Sequence, residues 1–266
     1  ETVFGWALVG RVNHFAKHSI FYATTPKQAI DKLTSLDALG VHNLPRSALE
    51  EEECALQSFY RELKFVDNRY QIRWPWRSYP PDLKNNFALA LGRLRSLYNN
   101  LDAGSFSNYD RIICSQMEQG IVERVPAKEI NNQNAHYLPH KAIFTPEKNT
   151  KLRIIYDGSA RISRTSKSLN DAVYKGSNLL NNLVALVLKF RLRQIAISAD
   201  VEKAFLQITL APPDRNYVRF LWTEGFQPPL SNADIVVLRF TRVAFGVNAA
   251  PFLMNAIFEH YIKNNP

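Results

Sequence analysis

Apolar side chains at Phe87, Leu91, Leu94, Tyr98 and Leu101 recur at a spacing that winds one stripe onto a helix across residues 85–101. A second short helix is expected over 108–119, ended by Gly120. Upstream, residues 64–74 alternate polar and apolar positions about Asp67-Asn68, the pattern of a β-hairpin, and Trp74-Pro75-Trp76 with Pro80-Pro81 then break it. Thr25-Pro26-Lys27-Gln28 combines an N-cap, a first-turn proline and a capping-box glutamine, so a helix is expected from there to Gly40. Ser47 and Glu50 repeat the capping pattern and put Glu50 to Glu53 in a first turn, where the helix dipole favours acids. Residues 2–10 read as a strand and 131–134 as a polar loop. Residues 142–145 and 152–157 read as a hairpin with a basic tip. Leu179, Leu183, Leu186, Val187 and Phe190 then form one helix face leading into an apolar strand, residues 195–199, that closes at Asp200. Near the end, Gly246 makes a turn running into a helix around Pro251. The order of these elements predicts an α+β fold, without internal repeats.

Composition narrows the class. The 266 residues, 46% hydrophobic and 21% charged, suit an ordinary soluble globular protein of one large domain or two small ones. Apolar runs such as 183–188 fall far short of the ~20 residues of a membrane helix, and nothing at the N-terminus resembles a signal peptide, so the expectation is an intracellular protein without membrane contact. Cys54 and Cys114 lack the close spacing of a metal framework and read as reduced core or surface thiols. The net charge of +9 is unevenly spread. Residues 1–137 carry 16 Lys and Arg against 15 Asp and Glu, whereas residues 138–266 carry 17 against 9. Within 148–193 there are ten basic residues and two acids, Asp157 and Asp171. Such an excess suits either a polyanion, through counterion release, or a solvated basic face.

Candidate chemistry centres on Asp200. A carboxylate at a strand end, with the Val201 carbonyl exposed after it, offers hard oxygen ligands to Mg²⁺ or Mn²⁺. Taken alone, it reads more readily as a cap at a strand-to-helix turn. Five residues on lies Phe205, and about 45 residues on come Phe245-Gly246-Val247-Asn248 and Pro251. Together these segments resemble motifs A and B of a reverse-transcriptase palm. Residues 151–157, Lys-Leu-Arg-Ile-Ile-Tyr-Asp, are similar to the fingers strand of the same family. The resemblance narrows further. Tyr137-Leu138-Pro139-His140-Lys141, residues 151–160, Ser168-Leu169-Asn170-Asp171, residues 190–205 and residues 242–255 look like a Bel/Pao LTR retrotransposon polyprotein. Phe4-Gly5-Trp6 to Gly10 is similar to the end of its retropepsin-like protease. Residues 68–76 and 120–123 look like the connecting region before its polymerase.

That resemblance implies a division into residues 1–24 as a protease tail, 25–130 as a mainly helical connector, and 131–266 as fingers and partial palm. It implies RNA-directed DNA polymerisation, in which a primer 3′-hydroxyl attacks the α-phosphate of a dNTP. Asp200 would be catalytic and, with Val201, bind metal. Arg153 would contact the triphosphate through paired donors, with Lys151 and, more weakly, Lys148 assisting. Phe205 would stack under the incoming sugar, and Phe245 and Gly246 would approach the nascent base pair; core packing is the other reading of Phe205. The implied partners are an RNA or DNA template-primer, dNTP and the rest of a Pol polyprotein, in the cytoplasm or a virus-like particle. Two departures stand out: Ala250 replaces the serine common before the motif B proline, and no Asp-Asp dipeptide occurs. One carboxylate cannot hold two metals, so the chain is expected to be inactive alone, with the motif A strand left at an unpaired edge. No Asp-Thr-Gly or Asp-Ser-Gly occurs, so no aspartic peptidase activity is assigned. The alternatives are a non-catalytic nucleic-acid-binding remnant and a protease-associated polyprotein segment without activity.

Overall fold

A computed structural model describes residues 46–144, 152–192, 195 and 197–265. The expected strand at 2–10, the helix at 25–40 and the basic hairpin tip lie outside them. Within the described residues the architecture is α+β: three small sheets under a set of short helices. The first helix, α1 (Arg46–Glu62), starts just ahead of Ser47, so Glu50 to Glu53 fall in its second turn instead of capping its end. Glu51 is used differently: Arg77 donates to both its oxygens at 2.7 and 2.8 Å, which holds its carboxyl below the usual range. Ala55 and Phe59, one turn apart, bury the inner face, and Phe59 meets Phe252 edge-on at 6.2 Å.

Asp67 and Asn68, at φ 50° and 59°, make the two-residue left-handed turn that folds β1 (Lys64–Val66) onto β2 (Arg69–Ile72). β2 then pairs in parallel with β6 (Thr209–Leu210), Gln71 opposite Thr209 and Ile72 opposite Leu210. The expected helical stripe forms α2 (Phe87–Asn99), with Leu94 and Tyr98 buried and Phe87 and Leu91 packed against the core. The next helix, α3 (Ala103–Glu118), begins five residues earlier than its apolar pattern indicates. Asp102 caps it, Oδ1 accepting from the Ser105 amide at 2.8 Å, and this outweighs the poor helix propensity of Gly104 and Ser105.

The second sheet runs β3 (Val122–Arg124), β8 (Ile235–Phe240), β7 (Arg219–Thr223), antiparallel throughout. All five residues of β7 are buried, Arg219 among them. The guanidinium of Arg219 donates to the carbonyls of Glu129 at 2.7 Å and Ile130 at 3.1 Å and to Asn216 Oδ1 at 3.0 Å, fastening the short α4 (Ala127–Ile130) to the sheet. A single apolar core thus runs from α1 through residues 121–138 to the last helix. Beyond β7, Leu138 donates to the Arg219 carbonyl and Arg219 to that of His136. The other side of Tyr137 is met by one side chain: Asn86 Oδ1 accepts from the Tyr137 amide at 2.6 Å, and Asn86 Nδ2 donates to the Tyr137 carbonyl at 2.7 Å.

The third sheet is the expected hairpin, β4 (His140–Phe144) with β5 (Leu152–Tyr156), His140 opposite Tyr156. His140 is buried. Its Nε2 donates to the Leu221 carbonyl at 2.8 Å, so Nδ1 is left to accept from the Tyr109 hydroxyl. Burial pushes its pKa down to about 4, and does the same to His136 behind Asn86. Trp222 stacks on Tyr109 at 4.5 Å and on Phe106 at 5.3 Å, and its Nε1 donates to Asp110. Cys54 and Cys114 are free and exposed, as expected.

In the segment after α5 (Leu169–Ala172) the expected helix forms and the expected strand does not. The helix α6 (Leu183–Leu192) forms, yet none of its side chains is buried, and the face read from Leu183, Leu186, Val187 and Phe190 is exposed. Val184, Leu188 and Leu192 make this helix apolar on every side, so it has no single face to turn inward. The expected strand at 195–199 does not form among the described residues. Its described residues have no regular structure, and Ile195 and Ile197 are 80% and 85% exposed. A strand exists only by pairing, and the described residues of this segment pair with no strand. The last helix, α7 (Ala250–Asn264), carries Pro251 in its first turn, as read from the sequence.

Candidate functional site

The best-defined part of the site is a junction of three segments around Gly246. Gly246 has φ 91°, and a Cβ there would overlap the Tyr156 carbonyl oxygen. A Cβ on Gly158 would lie 2.5 Å from the Gly246 oxygen. Both positions therefore need glycine for close backbone approach, and Gly246 also for its backbone angle. Asn170 locks the contact. Its amide donates to the Gly158 carbonyl at 3.0 Å, and its Nδ2 to Ser159 Oγ at 2.8 Å and to the Gly246 oxygen at 3.3 Å. Its Oδ1 accepts from the Asn248 amide at 2.9 Å, and its carbonyl from Asn248 Nδ2 at 3.1 Å. Asn170 is itself held in α5 by a reciprocal cap in which Ser168 and Asp171 satisfy each other's backbone.

This junction gathers several of the residues nominated from sequence. Phe245, 42% exposed, packs edge-on to Phe205 with ring centres 5.1 Å apart. Phe205 stands in the 3₁₀ segment Ala204–Gln207, entered through Lys203 at φ 50°. Gly246 abuts Tyr156, the last residue of β5, on which Arg153 is exposed opposite Ile143. Arg153 makes no ion pair among the described residues, and Lys151 and Lys148 lie outside them.

The metal half of the site is less well organised. Asp200 and Val201 are exposed, and Asp200 does not close a strand. Among the described residues Asp200 has no hydrogen bond or ion pair, and no group of three or more His, Cys, Asp or Glu gathers to hold a metal ion. One carboxylate and one carbonyl suit a single hydrated Mg²⁺ and are too few for a pair.

Three contributors escaped the sequence reading: Gly158, Tyr156 and the side-chain role of Asn170. The Ser168-x-x-Asp171 spacing was a visible signal for the cap that places Asn170; nothing local marked its reach to residue 248. Of the ten basic residues in 148–193, Arg161 pairs with Asp171 at 2.8 Å and Lys167 with Asp82 at 3.1 Å. Of the aromatic residues within 70–79, Trp74 is buried in the core, whereas Tyr79 is exposed beneath the Arg73 guanidinium at 4.2 Å. No helix among the described residues is long and apolar enough to cross a membrane. Compared with protein-family models the sequence matches none, and no curated protein is significantly similar to it.

Proposed function

We propose that the chain is a retroelement polymerase segment, with residues 131–266 acting as fingers and partial palm that position a nucleotide against a primer. The observation that carries the reading is the Gly246 junction: it unites Phe205, Phe245 and Gly246 with the strand bearing Arg153, four positions the motif resemblance nominated independently of any structure. In this reading Arg153 grips phosphate oxygens through its fork of donors, and Phe205 and Phe245 form an apolar platform for sugar and base. The left-handed turn at Gly246 lets backbone approach the base pair where a side chain would block it. Asp200 and the Val201 carbonyl would hold Mg²⁺ (or Mn²⁺), which when bound supplies charge stabilisation for phosphoryl transfer. The sequence has no Asp-Asp dipeptide, so the remaining carboxylates must come from another polypeptide segment.

Primer extension tests this. The chain joined to a palm segment that carries the missing carboxylates should extend a primer, and Asp200→Ala should abolish extension; undiminished extension in that variant sinks the reading. The isolation of Asp200 favours a second reading, a nucleic-acid-binding remnant without turnover. It predicts salt-dependent oligonucleotide binding by the chain and no extension by the joined protein.

A further inference from the structure

The outer face of the β1–β2–β6 sheet carries charge that the described chain does not neutralise. Register places Lys64 opposite Gln71, Gln71 opposite Thr209, and Thr209 opposite Arg242. Residues directly opposed across strands project to the same side, and so does Arg69, two positions before Gln71. The other side is apolar: Ile72 and Leu210 are buried, and Tyr70 meets His260 of α7 edge-on at 5.9 Å. The polar side is therefore the sheet's outward surface.

Three guanidinium groups are fixed there along residues 207–210 by neutral acceptors. Arg69 Nη1 donates to Gln207 Oε1 at 2.7 Å, Arg242 Nη1 donates to Thr209 Oγ1, and Arg215 Nε donates to the Leu210 carbonyl at 3.1 Å. Arg215 has Glu123 at 3.5 Å. Neither Arg69, Arg242 nor Lys64 has a carboxylate within ion-pair distance among the described residues, and the neighbouring Glu202 carboxylate is engaged with Lys203 at 3.7 Å. Partial burial and repulsion from Arg69 and Arg215 together lower the pKa of Arg242. The cluster is preorganised, and Arg69 and Arg242 retain free N–H donors with no carboxylate partner among the described residues.

The row from Lys64 to Arg242 crosses three strand spacings, about 14 Å at ~4.8 Å each. That length exceeds a single phosphate and spans several successive phosphates of one nucleic-acid strand. A lone phosphate could engage only one end of it. We propose that this face binds the phosphodiester backbone of an RNA or DNA strand, a contact surface separate from the Phe205–Gly246 junction. The proposal rests on the reading that the chain engages nucleic acid, and it locates a part of that contact which the 148–193 basic segment does not include.

Fluorescence anisotropy of a labelled oligonucleotide, titrated with the full chain over a range of salt concentrations, tests it. The double variant Arg69→Gln/Arg242→Gln should bind more than tenfold more weakly at about 0.1 M salt and lose between one and two units of the slope of log K against log salt. The pair Arg69→Lys/Arg242→Lys, which keeps both charges, should retain most of the slope. Unchanged slope in the glutamine variant overturns the proposal. Equal loss in the lysine variant also overturns it, since that marks a packing role. A variant that weakens binding to poly-aspartate or to anionic vesicles, with oligonucleotide binding intact, assigns the face to another partner and overturns it too. Arg153→Gln separates the two claims: if it weakens binding while the sheet variants do not, the nucleic-acid reading stands and this face is not part of it. Wild-type binding that ignores salt defeats both.

Discussion

The Gly246 junction and the stretch from α6 to Asp200 both carry residues nominated from the sequence, yet they are held in opposite ways. At the junction, two glycines bring backbones into contact and one asparagine satisfies both sides through its amide and its own backbone. The described residues of 183–201 have the hydrophobicity of a core segment and none of its burial. Apolar content commits a segment to burial only where a neighbour of matching shape exists. Close backbone approach locked by a polar clamp supplies its own neighbour.

The largest expected effect comes from acid acting on the enclosed half. His136 and His140 are pushed down to about 4 by burial, so the unfolded chain takes up protons below pH 6.5 that the folded chain refuses. Their stabilisation is complete above pH 6.5 and falls away as pH drops toward 4, by about 3 kcal/mol apiece. Urea unfolding at pH 7, 5.5 and 4 measures this; a flat profile would mean that the two rings are not enclosed as described. Next is Gly246→Ala, which combines a forbidden backbone angle with overlap on the Tyr156 carbonyl and should cost about 4 kcal/mol. Thermal unfolding with a wild-type midpoint would remove the junction as a rigid element. The smallest effect belongs to the other region. Leu183→Ser and Leu188→Ser, at positions 70% and 46% exposed, should each change stability by less than about 0.5 kcal/mol. A loss above about 2 kcal/mol in either would show that α6 is covered in solution and would abolish the contrast.

The same division explains what could be read from sequence. The Asp67-Asn68 turn, the α2 stripe, the β4–β5 pairing and the Pro251 helix start were legible, because each is set by local backbone preference or by strict periodicity. Gly246 was legible as a turn. Its partner Tyr156 was not, since a contact across ninety residues leaves no local trace. The start of α3 was missed because its cap precedes weak helix formers. The strand expected before Asp200 does not form among the described residues: the pattern of Ile195-Ala196-Ile197 states a willingness to pair, and pairing needs a partner strand that local sequence does not name.

Asn86 shows what one side chain can do about such an edge. Tyr137 lies along β7 and turns its own N–H and C=O outward, where they would otherwise form a short template for a strand from another molecule. The Asn86 amide presents an acceptor and a donor as a peptide unit does and occupies both groups. The sheet therefore ends against a side chain at the start of α2 and not against solvent. One buried polar side chain thus does for this margin what another strand would do.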